Sequence, residues 1–242
     1  MQVWDNVTRP IGTIQIIKSV TNKYHKYNKL AEFLNKNGYV VFCNKNQPQH
    51  GDVFTKTVEQ EIETLYKIKQ KYNLPLFLVG HGFGGFVAQK IISHTHKCNG
   101  AICTAGGGKL SRIEYCQCVA MTWIGQHLFG DNKCAKMIPK ICKCDNGITY
   151  NHTYWILKGT KHTQYDKNIN VPQMFICGKQ DISGLNNRLA WTLYNAYNQY
   201  DLHKLTFVLF PDAASPIESG ENWMDVRGDI LQVLTQYTSD AR

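Results

Sequence analysis

Long apolar runs and dense charge are both missing from this sequence. No stretch approaches the ~18 to 20 consecutive apolar residues that a membrane-spanning helix requires. Thr13 and Lys18 interrupt the apolar run near the start of the chain, which therefore lacks the pattern of a signal peptide. Charged residues make up 19% of the 242 residues, and no block of five or more basic residues occurs. These absences predict a cytoplasmic protein without a membrane span and disfavour nucleic-acid binding.

The nine cysteines do not follow the C-x₂-C spacing of zinc sites. Cys43, Cys103 and Cys177 lie in apolar runs, where cysteine behaves as a small apolar side chain. Five more form a cluster between Cys116 and Cys144. An odd number of cysteines favours free thiols in a reducing compartment over a disulfide framework. We therefore predict free thiols, no metal site and no cofactor.

The composition that is present is that of a folded, basic protein. Hydrophobic residues are 43% and aromatic residues 12% of the chain, enough to bury a sizeable core. The formal net charge is +9, and residues 109–170 contribute +5 of it, from nine Lys or Arg and four Asp or Glu. A basic surface is compatible with peripheral contact with anionic lipid headgroups.

Short apolar runs alternate with helical patterns along most of the chain. Helix-length segments with one apolar face separate the strand-like runs, for example Thr57–Tyr72, where Val58, Ile62, Leu65 and Tyr66 share a stripe with Glu and Lys opposite. This alternation predicts an α/β fold with a doubly wound, mostly parallel sheet. The strand-like runs are residues 14–17, 39–43, 76–79, 100–104, 173–177 and 205–210.

The alternation stops at Gly106–Gly108 and resumes at Gln173. Residues 109–170 contain most of the cysteines and show no clear period. Because α/β folds place ligands beyond the carboxyl ends of their strands, we interpret this segment as a cap inserted there. The predicted organisation is a core in two parts, residues 1–108 and 171–242, separated by the cap at 109–170.

A glycine-rich turn lies where a predicted strand meets a helix. It reads Gly80-His81-Gly82-Phe83-Gly84-Gly85. Here the chain resembles the α/β-hydrolases of the monoacylglycerol lipase, lysophospholipase and serine aminopeptidase (S33) group, which carry Gly-His-Ser-Met-Gly-Gly. The resemblance extends from Gly12 to about Thr104 and from Val171 to the C-terminus. It implies an α/β-hydrolase fold whose turn, the nucleophile elbow, presents a catalytic serine.

The resemblance assigns three triad positions, and two of them hold unsuitable residues. Gly82 stands in place of the nucleophile and has no side chain to attack a carbonyl. Asp181 matches the acid, although a turn aspartate that caps the following helix is the simpler interpretation. Ser215 stands in place of the histidine base, and serine is no base near neutral pH.

The oxyanion hole also departs from the family pattern. The family has His-Gly after its first core strand, where this chain has Lys18-Ser19. The amide of Phe83 is the backbone donor that could survive. Loss of a nucleophile or base costs about 10⁶ in turnover, and a weakened oxyanion hole roughly another 10² to 10³.

These departures predict a non-catalytic relative of the lipases that keeps a cap cleft for a lipid-like or acyl ligand. The alternative is an active ester hydrolase with an altered or relocated site. A subunit of a larger assembly is a third hypothesis. His81 fills the variable position of the elbow, where the family already has histidine, and is interpreted as structural. Candidates for a relocated site are Ser19, His50, His81, Ser215 and the Cys116–Cys144 thiols.

Overall fold

A computed structural model describes residues 1–20, 22–95, 97–104, 112–135, 148–160, 171–178, 205–210 and 223–240. The described strands are β1 (Gln2–Trp4), β2 (Gly12–Ile17), β3 (Tyr39–Cys43), β4 (Leu76–His81), β5 (Gly100–Thr104), β6 (Gln173–Gly178) and β7 (Leu205–Phe210). The described helices are α1 (Asn28–Lys36), α2 (Val53–Lys71), α3 (Phe83–Thr95), α4 (Arg112–Phe129), α5 (Tyr150–Thr160) and α6 (Trp223–Asp240).

The strands form one seven-stranded sheet in the order β1-β3-β2-β4-β5-β6-β7. β1 pairs antiparallel with β3, and every other pairing is parallel. The predicted doubly wound, mostly parallel sheet is confirmed. Parallel strands need helical crossovers that cover both faces, which explains why β2, β3, β4 and β5 are mostly apolar and are buried along their whole length.

Two apolar clusters cover the two faces of the sheet. α1 and α6 pack on one face, where Leu34 and Ile230 are both fully buried. α2 and α3 pack on the other, through residues such as Leu65 and Val87. α5 lies against α2, where Gly159 allows the close approach of Phe54.

Three sequence predictions need correction. α2 begins at Val53 rather than at residue 57, because the Asp52 side chain caps it by accepting a hydrogen bond from Thr55 N at 2.9 Å. The predicted inward stripe of α2 is wrong at one position, since Tyr66 is 49% exposed. The described parts of residues 109–170 contain the helices α4 and α5, where the sequence showed no period. The predicted cap boundaries fall at 108 and 170, outside the described residues.

Within the described ranges, no helix is both long enough and apolar enough to cross a membrane. The sequence also predicts helices over residues 185–200 and about 222–237. The first lies outside the described part of the chain, and the second corresponds to α6. The six strand-like runs correspond to β2 to β7.

Two glycines of the elbow are required by close backbone approach. A Cβ on Gly84 would overlap the carbonyl oxygen of Ile17, and a Cβ on Gly80 would overlap that of Gly84. The first turn of α3 therefore lies directly against the ends of β2 and β4. The glycines at positions 80 and 84 are thus packing requirements of the fold.

We expect Gly84→Ala to destabilise the protein by at least about 1 to 3 kcal/mol, because its methyl group has no space beside β2. Gly228→Ala is the matched control. Nothing lies within 4 Å of a Cβ at this helical position in α6, so the change should stabilise the protein by about 0.5 to 1 kcal/mol. Urea unfolding measures both; equal stability of Gly84→Ala and the unmodified protein would contradict the packing account.

Candidate functional site

The candidate site lies at the carboxyl ends of the parallel strands. β2 ends at Ile17, β4 at His81 and β5 at Thr104, and their parallel register brings these ends to one edge of the sheet. This is the edge at which open α/β sheets bind ligands. The predicted elbow residues and the predicted oxyanion residues are all brought together here.

Gly82 forms the turn between β4 and α3. Its φ angle is +53°, in the left-handed region that favours glycine over every other residue. Its N–H donates to Thr104 O at 2.9 Å, and its carbonyl accepts from Gly85 N at 3.0 Å. The turn therefore has the sharp strand-to-helix geometry of a nucleophile elbow. The assignment of Gly82 to the nucleophile position itself stays a prediction.

The backbone amide of Phe83 is already engaged. It donates a hydrogen bond to Ser19 Oγ at 3.3 Å, and both residues are fully buried. In an α/β-hydrolase, the amide after the nucleophile donates to the developing oxyanion. In this chain the hydroxyl group of Ser19, in the loop after β2, accepts the hydrogen bond from that amide.

A pair of reciprocal hydrogen bonds fixes the same loop from its other side. Lys18 Nζ donates to Gln47 Oε1 at 3.1 Å, and Gln47 Nε2 donates back to Lys18 O at 2.9 Å. Both side chains are buried, and burial lowers the pKa of Lys18. The Ser19 N–H in turn donates to the Tyr27 hydroxyl at 3.2 Å. The predicted oxyanion residues Lys18 and Ser19 are therefore held by residues on two neighbouring segments.

His81 is buried among neighbouring segments of the site, and its structural role stays a prediction. It is 5% exposed, its Nδ1 lies 3.1 Å from Thr104 Oγ1, and its ring packs edge-on against Tyr27. These contacts pin the end of β4 to β5 and to the segment that begins α1.

A buried polar network beneath the site was missed by sequence reasoning. Glu61 of α2 is 1% exposed, and its carboxylate accepts a hydrogen bond from Gln15 Nε2 at 2.6 Å. Burial raises the Glu61 pKa to about 7, against the opposing effect of hydrogen bonds from Asn44 and Gln15 and the charge of Lys18. The isolated glutamine in the apolar run of β2 was the available signal, because a buried polar side chain requires a partner.

Of the remaining predicted site residues, some lie within the described part of the chain and others lie outside it. Asp181 and Ser215 lie outside the described residues, so their triad roles stay predictions. His50 is exposed, and Lys56 Nζ donates to its carbonyl group at 3.3 Å. Among the described residues, no group of three or more His, Cys, Asp or Glu side chains is placed to hold a metal ion.

Among the cysteines that the structure describes, the prediction of free thiols is wrong for Cys118. Cys118 is disulfide-bonded, whereas Cys116 and Cys134 are free and exposed. Spacing along the chain does not reveal which thiols the fold brings together, and Cys118 lies on the buried side of α4. A disulfide is disfavoured in a reducing cytoplasm, so the argument for that compartment loses its main support. Cys43 and Cys103 are buried, as predicted, and burial raises the pKa of each thiol to about 12.

The fold defines the chain as an α/β-hydrolase, and comparison with solved structures agrees. A carboxyl esterase from Bacillus coagulans superimposes with a TM-score of 0.78 at 14% identity, covering 98% of this chain and 93% of the esterase. A monoacylglycerol lipase from Paleococcus ferrophilus gives 0.70 at 16% identity, covering 98% and 100%. A soluble variant of the Saccharomyces cerevisiae monoglyceride lipase gives 0.68 at 14%, covering 97% and 90%.

Sequence comparison identifies the family within that fold. The model of the family described as serine aminopeptidase, S33, matches residues 8–203, which is most of the chain. The chain therefore belongs to this family of serine hydrolases. No curated protein matches it by sequence.

We expect the stability of the protein to fall as pH rises through the titration of Glu61. Its folded pKa of about 7 exceeds its ordinary 4.5, so the folded state retains a proton that the unfolded state releases between those values. The stabilisation is complete below pH 4.5 and is lost as pH rises through 7, with a total on the order of 3 kcal/mol.

Glu61→Gln removes this titration and keeps the shape of the side chain. The measurement is the free energy of unfolding of both proteins across that pH range. Taking the difference cancels other groups, such as His152, whose pKa is lowered by burial. A difference between the two proteins that does not change with pH would contradict the assignment.

Proposed function

We propose that this chain is a non-catalytic member of the S33 family that binds a lipid-like or acyl ligand instead of hydrolysing it. The observation that carries the proposal is the hydrogen bond from Phe83 N to Ser19 Oγ, formed beside a Gly82 that has no side chain. A hydrolase of this fold needs a nucleophile at the elbow and a free amide beside it. Here the first is missing and the second already has an acceptor.

The amide contact adds a steric argument to the chemical one. Oxyanion stabilisation requires the donor to lie 2.7–3.1 Å, in general, from the position of the negative oxygen. Ser19 Oγ lies 3.3 Å from that donor and is held by a loop fixed through Lys18, Gln47 and Tyr27. An ester carbonyl must displace this hydroxyl before it can be polarised. The predicted substitution of the base by Ser215 points in the same direction.

The surface of α4 supports an apolar ligand. Ile113, Trp123, Leu128 and Phe129 are each at least 50% exposed, and Ile124 is 37% exposed. Ile113, Ile124 and Leu128 recur at helical spacing and so lie along one side of the helix. Exposed apolar patches of this kind mark sites for lipids or partner surfaces. This face is where we place the entry of a lipid-like ligand and peripheral contact with lipid.

One observation favours the alternative of an altered active site. Ser19 Oγ is a hydroxyl group that lies next to the elbow, within hydrogen-bonding distance of Phe83 N. An ester hydrolase that used Ser19 as its nucleophile would lose all turnover on Ser19→Ala. The non-catalytic proposal predicts no turnover for either protein.

A short-chain monoacylglycerol below its critical micelle concentration tests binding and hydrolysis together. We expect saturable stabilisation against heat and no glycerol release above the rate in buffer. Ligand at 100 times its Kd stabilises the folded state by about 2.7 kcal/mol. The double change Trp123→Gln and Leu128→Gln should weaken binding about tenfold by removing apolar surface.

Gln126→Ala is the control for those changes, because Gln126 lies on the same helix but on the side opposite Ile113, Ile124 and Leu128. It should bind as tightly as the unmodified protein. Stabilisation that is absent, or that is unchanged by the double change, would contradict the assignment of α4. Glycerol release that disappears on Ser19→Ala would establish the alternative.

A further inference from the structure

A second candidate binding site lies at the opposite edge of the sheet. A cavity of about 560 Å³ is lined by Tyr66, Lys69 and Gln70 of α2 and by Lys97, Cys98 and Asn99, which precede β5. Because β4 and β5 are parallel, the start of β5 and the elbow at the end of β4 lie at opposite edges. This cavity is therefore separate from the site at Gly82 and does not depend on the function proposed for it.

The three lysines in the last turns of α2 have different surroundings. Lys67 Nζ forms an ion pair with Glu63 at 2.6 Å, and Lys71 Nζ lies 5.0 Å from the centre of the Tyr72 ring. Lys69 instead lines the cavity. Attraction to the carboxyl end of the helix explains cations on all three positions, but not why one of them faces a cavity that also contains Lys97.

The ammonium group of Lys69 donates hydrogen bonds to neutral oxygen atoms. Its Nζ donates to Leu74 O at 3.2 Å and to Asn99 Oδ1 at 3.4 Å. Partial burial lowers its pKa; Cys98 opposes this shift, and the nearby charge of Lys97 adds to it. Among the described residues that line the cavity there is no carboxylate. The two ammonium groups that line the cavity repel each other. A bound anion offsets that repulsion, because it attracts both.

One wall of the cavity is fixed by the contacts of Asn99 with the backbone of Leu76. Asn99 N donates to Leu76 O at 2.7 Å, and Asn99 Oδ1 accepts from Leu76 N at 2.9 Å. The side chain that receives the Lys69 hydrogen bond is therefore anchored to the start of β4. A site held in this way loses little conformational freedom when a ligand binds.

The dimensions and chemistry of the cavity indicate the class of ligand. Its volume lies within the ~300 to 1,000 Å³ range of small-molecule sites and exceeds what a bare inorganic anion occupies. Two ammonium groups suit a doubly charged phosphate, and lysine binds phosphate as a point charge. The ring of Tyr66, 49% exposed, offers an apolar contact for an organic group.

We propose that the cavity between the end of α2 and the start of β5 binds a small phosphate monoester. Its phosphate group lies between Lys69 and Lys97, and its organic group lies against Tyr66. This site is distinct from the candidate site at Gly82, and its ligand is an anion.

Isothermal titration with phenyl phosphate, at constant ionic strength, tests the proposal. We expect saturable binding that Lys69→Gln and Lys97→Gln each weaken at least about tenfold. Inorganic phosphate should bind more weakly than phenyl phosphate, because it lacks the group that contacts Tyr66. Lys67→Gln and Lys71→Gln are the controls, since they remove the same charge from the same helix outside the cavity.

Lys97→Gln provides the safeguard against misfolding, because Lys97 is exposed and holds no described hydrogen bond of the fold, whereas Lys69 anchors Leu74 O. Thermal unfolding checks that each variant is folded. Absence of saturable binding would overturn the proposal. Equal weakening by the cavity and control variants would overturn it too, since that result indicates general surface attraction. Equal affinity for both phosphates would overturn the role of Tyr66.

Discussion

The arrangement of the candidate site depends on how the backbone turns between β4 and α3. At Gly82 the chain adopts a φ of +53°, and the next amide donates to the hydroxyl of Ser19. In a serine hydrolase the strain of this turn exposes a nucleophile and aims an amide at the oxyanion. Glycine adopts the same turn without strain, so the chain keeps the geometry of the elbow with no side chain at Gly82.

The scaffold around the turn is maintained where packing demands it. Gly80 and Gly84 are fixed because no Cβ fits against Gly84 and Ile17, respectively. The loop after β2 is held by the hydrogen bond between Lys18 and Gln47 and by the hydrogen bond from Ser19 N to the Tyr27 hydroxyl. These contacts belong to the fold and are independent of any reaction. They hold the elbow against the seven-stranded sheet of the described residues.

The sheet was predictable from sequence because its strands are buried on both faces and read as apolar runs. α4 was not, because its polarity is inverted: Cys118, Thr122 and Gly125 are buried while Ile124 and Leu128 are exposed. The burial of Glu61 was not predicted either, since a charged side chain on a helix is ordinarily exposed.

The site was predictable only in part. The glycine-rich motif located the elbow, because packing requires glycine at positions 80 and 84. The contact between Ser19 and Phe83 was not predictable, since it depends on the path of a loop and on a hydroxyl orientation that no sequence pattern encodes. The disulfide at Cys118 was unpredictable for the same reason, because disulfide formation requires proximity in space.

The most direct test is the reaction of the purified protein with a fluorophosphonate, followed by intact mass and peptide mapping. The account predicts no covalent adduct on the unmodified chain. It further predicts an adduct on the introduced serine when Gly82→Ser is combined with Ser19→Gly and Ser215→His, and less of it when Ser19 is kept. Stoichiometric labelling of the unmodified chain at a single residue would contradict the account.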